Sequence, residues 1–342
     1  MLRNAILALL TGSCLSVASV AQDKGRPVPP IPITISKEAQ DFLRTPPGMD
    51  ERAFIPQTPE EWKVLQAKAK EEGNARSKKV IEALAESVEV RQMGGVDVHI
   101  ITPKNFNPAY ADKAIIHVHG GGFCLHTPES TYAECAPLAD LTGLKVYSID
   151  YRLAPQDPFP AGLNDCVAAY RVIIEEVSPE KLGVSGLSAG ASLVLTMTLK
   201  AREEGLPMPG ALACITPVTD LNATGDSCET NDGLDPVLGK RDFFCARAYA
   251  GNADKNDPLL SPIFAKFSEK FPPTIIQTGT RDILLSDCVR LHQKMKEAGV
   301  DVELSVREGM WHAYHVIPDC DFPESRAGFR ELADFFRQKL RL

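Results

Sequence analysis

The chain has 342 residues, of which 44% are hydrophobic and 24% charged, and its net charge is −8 at pH 7. This length can bury a core without disulfides or a structural metal, and the composition argues against long disordered segments. Acidic side chains outnumber basic ones by 45 to 37 and no basic stripe is present. Binding to nucleic acid or to anionic lipid is therefore disfavoured.

The first residues have the pattern of an export signal. A short basic start, an apolar core and small residues ending at Ala21 predict a secretory signal peptide over residues 1–21. Polar and small residues at 11–13 make this stretch a poor membrane-spanning helix, and no later run is long enough to span a membrane. We expect a periplasmic or secreted protein. A frayed N-terminal helix of a cytosolic protein is the alternative, and lipidation of Cys14 is disfavoured.

Eight cysteines remain after residue 21, an even number that permits disulfides in an exported protein. No Cys-x-x-Cys spacing occurs, which disfavours a zinc site. Several of the eight lie in apolar patterns that are typical of buried free thiols. The sequence leaves open whether any of them pair, and the one bridge that the spacing suggests joins Cys228 to Cys245. The eight are Cys124, Cys135, Cys166, Cys214, Cys228, Cys245, Cys288 and Cys320.

Residues 22–87 form a predicted N-terminal cap segment. The first part, to residue 60, is too rich in proline for a continuous helix. Pro59 and two following acids begin a helical pattern that extends to residue 86. We read this pattern as one or two amphipathic helices, interrupted near Gly73.

From Val88 the pattern changes to short apolar strands, and residues 88–342 form a predicted catalytic domain. Two strands flank Gly94-Gly95, a strong signal for a tight hairpin. The later strands alternate with helical patterns, which favours a mostly parallel sheet of eight strands with helices on both faces. A turn-rich stretch at 220–273 breaks the alternation and predicts a cap insertion. The strands are predicted at 88–93, 96–102, 114–119, 145–150, 181–185, 211–218, 274–279 and 302–308, and the helices at 164–176, 189–204, 241–250, 287–298 and 323–340.

The sequence Gly186-Leu187-Ser188-Ala189-Gly190 matches Gly-x-Ser-x-Gly. It lies directly between a predicted strand and a predicted helix, which is the setting of a nucleophile elbow. Small flanking residues suit such a turn because the chain crosses itself closely there. A tight βα turn or a phosphate-binding turn is the alternative reading.

His119-Gly120-Gly121-Gly122-Phe123 follows another predicted strand. Glycines at this point can present backbone N–H groups to an oxyanion, as in the oxyanion loop of lipases and esterases. The alternative is a flexible loop. His117 and His119 share a strand face, but no third ligand is evident nearby, so a metal site is disfavoured.

Two further strand ends supply a candidate acid and a candidate base. Asp282 follows the strand at 274–279, and His312 follows the last strand. The chain order Ser188, Asp282, His312 is that of the α/β-hydrolase triad. All three residues are expected at the carboxyl edge of the sheet.

Rival candidates exist for both roles. Asp287 reads as a residue at a helix N-terminus, and Asp150 ends a different strand. His315 follows His312 by three residues but lies beyond the tight Glu-Gly turn that positions the base. The remaining histidines, His99, His126 and His292, read as surface or loop residues.

Together, these motifs and the segments Asp150–Pro155 and Phe159–Ala161 resemble the hormone-sensitive lipase-like esterases, the bacterial family IV carboxylesterases of the α/β-hydrolase superfamily. The resemblance covers residues 80–340 and implies an α/β-hydrolase fold with a helical cap. It implies a small-molecule ester substrate and no metal or organic cofactor. It assigns Ser188 as nucleophile, His312 as base and Asp282 as its orienter, and the oxyanion hole to the N–H groups of Gly121, Gly122 and Ala189. In the family, residues matching Asp150 and Arg152 support the oxyanion loop.

Two departures from the family pattern concern the pocket. Leu187 stands where the family has Asp or Thr, and Trp311 stands where a smaller apolar residue often precedes the base. Both reshape the surroundings of the site, so we expect Phe123, Leu187 and Trp311 to contact the substrate.

The sequence therefore predicts a serine carboxylesterase for short- to medium-chain esters. A lactone, amide or polymer-fragment hydrolase on the same triad is the first alternative. A non-catalytic binding module is the second alternative. Plant gibberellin receptors resemble the family in this way, but they lack the catalytic histidine, which is present here as His312. The sequence leaves the oligomeric state open, a homodimer included.

Overall fold

The computed structural model describes residues 28–45, 54–319 and 321–342. Residues 28–30 are exposed and have no regular secondary structure. The elements below belong to the compact unit formed by residues 31–342. The predicted signal peptide and Cys320 lie outside the described residues.

One sheet of eight strands organises the fold. Its spatial order is β1-β2-β4-β3-β5-β6-β7-β8, in which β1, β2 and β4 pair antiparallel and all other neighbours pair parallel. The predicted eight-stranded, mostly parallel sheet is therefore confirmed. The strands are β1 Ala85–Met93, β2 Val96–Pro103, β3 Ala114–Val118, β4 Lys145–Ile149, β5 Leu182–Leu187, β6 Ala211–Ile215, β7 Thr274–Gly279 and β8 Val302–Arg307.

The described residues also form ten α-helices. Among these residues we find no helix with the length and hydropathy that a bilayer span requires. The helices are α1 Lys37–Arg44, α2 Pro59–Leu84, α3 Pro128–Thr131, α4 Ala136–Thr142, α5 Ala161–Glu176, α6 Ala189–Glu203, α7 Ser227–Thr230, α8 Phe244–Ala250, α9 Leu285–Glu297 and α10 Pro323–Leu340.

The inner strands β3 to β7 are buried on both faces, and neighbouring residues along such a strand contribute to opposite cores. Ile116 belongs to the cluster that contains the apolar sides of α5, α6 and α9, whereas Ile115 belongs to the cluster beneath α4 and α10. This assignment follows from the alternation of side chains along a strand. Two helical layers therefore enclose the sheet and leave its carboxyl edge to the connecting loops.

Helix α2 is continuous through Gly73, so the predicted interruption is wrong. The helix begins at a capping box in which Thr58 and Glu61 each accept the other's backbone N–H, at 3.2 and 3.1 Å. Gly73 is buried where the helix crosses Ser130, and a Cβ there would lie 2.5 Å from the Ser130 carbonyl oxygen. Close packing between two segments, and not a break in the helix, explains this glycine.

The two predicted cap segments meet each other and the glycine loop. Trp62 of α2 packs on Phe244 of α8 with ring centroids 5.5 Å apart. The Gln66 side-chain amide donates to the Cys124 carbonyl at 2.9 Å, which links α2 to the loop after β3. Helix α2 and the 220–273 segment therefore cover the same side of the sheet edge.

The cysteines of the described residues are all buried free thiols. Cys228 donates to the Ile283 carbonyl, whereas Cys245 lies on α8 with its carbonyl facing the Cys124 thiol. The suggested Cys228–Cys245 bridge is therefore wrong, because the two residues pack against different parts of the sheet edge.

Candidate active site

Ser188 occupies a sharp turn between β5 and α6. Its backbone has φ 55° and ψ −120°, a left-handed conformation that is strained for a residue with a side chain. The Ser188 N–H donates to the Ile215 carbonyl at 2.8 Å, which fixes the turn on β6. Gly190 is required because a Cβ there would lie 2.0 Å from the Val118 carbonyl oxygen. The serine hydroxyl is thereby presented at the carboxyl edge of the sheet.

His312 and Asp282 complete a hydrogen-bonded chain with this serine. The His312 Nε2 atom lies 2.9 Å from Ser188 Oγ, and Nδ1 lies 3.3 Å from Asp282 Oδ1. The acid and base follow the adjacent strands β7 and β8, and Asp282 is fully buried. The structure therefore brings together all three residues that the sequence proposes for the triad.

The electrostatics around His312 favour its protonated form. Burial lowers the pKa of His312, but the charge and hydrogen bond of Asp282, with a further contribution from Asp235, raise this pKa above its ordinary value. Asp282 is held in place by the Thr278 hydroxyl, 2.8 Å from Oδ2, and the Leu284 N–H, 2.9 Å from Oδ1. An imidazolium formed during a reaction is stabilised by this arrangement.

The glycine loop after β3 lies beside the serine because Val118 pairs with Gly186 across β3 and β5. Gly121 and Gly122, with φ of 110° and 62°, line a cavity together with Ser188 and His312. Ala189 is the first residue of α6, a position whose backbone N–H has no acceptor within the helix. Two of the three predicted oxyanion-hole residues thus share a cavity with the serine, and the third follows it directly in the chain.

Tyr151 and Glu134 hold the glycine loop. The Tyr151 hydroxyl donates to the His119 carbonyl at 2.9 Å, and the two rings stack at 4.3 Å. The Glu134 carboxylate accepts the Gly120 N–H at 2.9 Å. Arg152, which the family resemblance gives as a support of this loop, instead pairs with Asp165 on α5.

An apolar cavity of 310 Å³ opens above the serine. Phe123 and Leu187, two of the residues predicted to contact the substrate, line it, and the charged residues on its wall include Arg76, Glu134 and Asp242. Other apolar side chains of its wall are Leu125, Val218, Val237, Leu238, Phe243, Phe244, Val316 and Ile317.

Trp311 lies outside this cavity, so the prediction that it contacts the substrate is wrong. Its ring is fully buried between Phe42 of α1, at 4.5 Å, and Phe322, at 5.8 Å. The indole N–H donates to the Ile317 carbonyl at 3.0 Å. The chain turns between Trp311 and His312 so that one side chain enters a separate core and the other faces the serine.

The rival candidates have other partners. His315 is fully buried, its Nε2 lies 2.7 Å from Gln277 Oε1, and burial lowers its pKa to about 3. Asp287 accepts the N–H groups of Thr219 and Asp220 at 2.6 and 2.9 Å. Asp150 follows β4, which four strands separate from β8. None of the three takes part in the chain of contacts from Ser188 to Asp282.

The two histidines at the carboxyl end of β3 are also engaged elsewhere. His117 contacts Ser185 Oγ at 2.9 Å and Glu134 at 3.2 Å. The His119 Nδ1 atom faces the Gly120 carbonyl at 2.8 Å, and burial lowers the pKa of His119 to about 4. Within the described ranges no group of three potential metal ligands is found.

Asp235 is a buried carboxylate at this site that no sequence motif marks. It belongs to the 220–273 segment and has no exposed surface. Its Oδ2 atom accepts the N–H groups of Ile283 and His312 at 3.0 and 3.1 Å. The one sequence feature at this position is the Asp235-Pro236 pair, and it does not indicate a functional residue because such pairs also begin ordinary turns.

The comparisons with known proteins agree with this geometry. A family model described as alpha/beta hydrolase fold matches residues 115–316. An acetyl-hydrolase of Streptomyces hygroscopicus is 33% identical over 248 residues, which cover 71% of this chain and 81% of that protein.

Solved structures extend the likeness to nearly the whole chain. A crystal structure of an esterase has a TM-score of 0.85 at 34% identity and covers 93% of this chain and 98% of its own. A crystal structure of an esterase from the bacterial hormone-sensitive lipase family has a TM-score of 0.78 at 28% identity and covers 90% of this chain and 100% of its own. The chain belongs to the hormone-sensitive lipase-like family of the α/β-hydrolase superfamily and is a serine carboxylesterase.

Proposed function

We propose that this carboxylesterase hydrolyses short- to medium-chain carboxylic esters through an acyl-enzyme intermediate on Ser188. The observation that carries the proposal is the continuous chain of contacts from Ser188 through His312 to Asp282, which opens into an apolar cavity. A nucleophile within hydrogen-bond reach of a base that a third group orients is the arrangement that acyl transfer requires.

Acylation begins with attack of Ser188 Oγ on the ester carbonyl carbon, while His312 Nε2 takes the hydroxyl proton. The carbonyl oxygen becomes an oxyanion, which the N–H groups of Gly121, Gly122 and Ala189 stabilise. The His312 imidazolium then gives its proton to the alkoxy oxygen as the carbon–oxygen bond breaks. The alcohol leaves and the acyl group remains on Ser188.

Deacylation repeats the steps with water. The water oxygen attacks the acyl carbon while His312 takes a proton from the water. The same N–H groups stabilise the second oxyanion. Collapse of this intermediate releases the carboxylic acid, and His312 returns the proton to Ser188 Oγ. Asp282 keeps the imidazole in the Nδ1-protonated tautomer and stabilises its charged form throughout.

The cavity favours short acyl or alcohol groups. Its 310 Å³ lies at the lower end of the range for small-molecule pockets. Leu187 and Phe123 give it an apolar wall next to Ser188, which suits an alkyl chain. The acetyl-hydrolase name of one relative supports the same preference. Lactones and amides present the same electrophilic carbon, so they are the alternatives that a substrate panel must include.

The test is hydrolysis of p-nitrophenyl esters from acetate to palmitate, with a lactone and an anilide beside them. We expect the fastest turnover on short chains and loss of nearly all turnover in Ser188→Ala. Ser305→Ala is the matched control, because Ser305 lies within the edge strand β8 and its hydroxyl contacts Glu331 of α10. Turnover that survives Ser188→Ala, or a preference for palmitate, the lactone or the anilide, would contradict the proposal.

We also propose that the enzyme is exported to the periplasm or beyond, on the basis of the signal-peptide pattern in residues 1–21. The N-terminal sequence of the protein recovered from cell fractions tests this. A mature chain that begins after Ala21 supports export, and an intact Met1 in the cytosolic fraction contradicts it.

A further inference from the structure

Asp235 accepts four backbone hydrogen bonds, although it is fully buried and lies 47 residues before Asp282 in the chain. Its Oδ1 atom accepts the N–H groups of Val237 and Leu238 at 2.9 and 3.1 Å. Its Oδ2 atom accepts those of Ile283 and His312 at 3.0 and 3.1 Å. Both oxygens are thus used in full by donors that the backbone fixes.

The two oxygens serve different parts of the active site. Val237 and Leu238 belong to the cavity wall, so Oδ1 fixes the wall. Ile283 directly follows the acid and His312 is the base, so Oδ2 holds the two loops that carry them. One carboxylate therefore joins the substrate wall to the acid–base pair.

We propose that Asp235 is a positioning residue, which fixes the separation of Asp282 and His312 and ties that pair to the wall contacted by the substrate. This inference rests on the proposed function, because it assumes that Asp282 and His312 act on Ser188. Asp235 touches neither the substrate nor Ser188 in the proposed steps. It acts through the backbone of its neighbours and through its charge.

The charge of Asp235 adds to that of two other carboxylates near the base. Asp282, Asp235 and Asp242 are the acidic groups that raise the pKa of His312 against the effect of burial. Burial and the neighbouring Asp282 raise the pKa of Asp235 itself to about 6. Four backbone N–H donors on its two oxygens are the arrangement of an ionised carboxylate.

Asp235→Asn is the decisive substitution because an amide has nearly the same shape. Its single oxygen can serve one pair of donors, while its NH₂ group faces the other pair and opposes two N–H groups. We expect kcat/KM on p-nitrophenyl butyrate to fall on the order of 10–100-fold, since a displacement of about 1 Å can cost a factor of about 100.

The pH profile distinguishes positioning from mere support of the fold. Loss of the charge lowers the pKa of His312, so the acid limb of kcat/KM should move down by about half a pH unit or more. Asp235→Glu retains the charge but displaces it by one methylene, so its kcat should fall while the acid limb stays near that of the wild type. Asp257→Asn is the matched control, because Asp257 caps the Leu259 N–H in the same segment.

All constants are expressed per site titrated with a phosphonate ester, so an unfolded fraction does not enter them. Wild-type turnover that is lost in Ser188→Ala establishes the proposed function independently. With that established, Asp235→Asn within threefold of wild type, or an unshifted acid limb, would overturn the positioning role. So would the absence of a cooperative urea transition in both Asp235 variants, since Asp235 would then serve folding alone.

Discussion

Asp282→Asn is expected to remove a charge from the triad while preserving its hydrogen bonds. Oδ1 faces two donors, His312 Nδ1 and the Leu284 N–H, whereas Oδ2 faces the Thr278 hydroxyl. The amide oxygen should therefore take the place of Oδ1. The NH₂ group can then donate to Thr278, because a hydroxyl accepts as well as donates. The histidine keeps its tautomer and loses only its counter-charge.

The charge alone sets the expected loss. Two unit charges about 4 Å apart interact by about 4 kcal/mol at an effective dielectric constant of about 20. At about 1.36 kcal/mol per tenfold change in rate, this predicts a fall in kcat of about 10³. A replacement that also imposes the wrong tautomer costs about 10⁴. Adding Thr278→Val removes the hydroxyl that accepts from the NH₂ group introduced by Asp282→Asn and so removes the preference for the correct orientation of the amide. The double variant of Asp282→Asn and Thr278→Val should therefore approach the loss of about 10⁴.

The assay is p-nitrophenyl butyrate hydrolysis from about pH 5 to 9, expressed per titrated site. With the carboxylate neutralised, the pKa of His312 falls, and the acid limb of the profile should move to lower pH. Asp287→Asn is the matched control, because Asp287 is equally buried and caps Thr219 and Asp220 instead. A loss below tenfold for Asp282→Asn, or an equal loss for Asp287→Asn, would refute the reasoning.

Two further predictions concern packing around the site. Gly73→Ala should gain about 1 kcal/mol of helix propensity but lose about 1–3 kcal/mol through the contact of the new Cβ with Ser130. The urea midpoint of unfolding should therefore fall. A rise in this midpoint would contradict the close crossing of α2 and Ser130. Trp311→Ala should lower the free energy of unfolding by about 3–5 kcal/mol and leave KM for p-nitrophenyl butyrate within twofold. A large rise in KM at unchanged stability would instead return Trp311 to the substrate wall.

The strand ends explain why the candidate triad could be predicted from the sequence. Ser188, Asp282 and His312 each follow a short apolar strand, and parallel strands bring their carboxyl ends to one edge. Local sequence therefore determines both the strand and the place of the residue after it. The boundaries differ by only a few residues, as for β1, which begins at Ala85.

Packing between distant segments could not be read in the same way. Gly73 has the sequence signature of a helix break, and only the approach of Ser130 reveals another reason for the glycine. Helices α3 and α4 were not predicted, because short helices between β3 and β4 give too few turns for a period to emerge. Trp311 was misplaced because adjacency to His312 in the chain does not fix the direction of a side chain in a turn.

Asp235 could not be identified from the sequence either, because its role depends on packing between distant segments. Its hydrogen bonds change how the 220–273 segment should be understood. A segment that only covered the cavity would affect substrate binding and leave the chemistry to the sheet edge. The hydrogen bonds of Asp235 instead connect Val237 and Leu238 to the backbone of His312. Substitutions that move this wall should therefore change kcat as well as KM. In this enzyme two residues of the cavity wall and the backbone of His312 share one buried carboxylate.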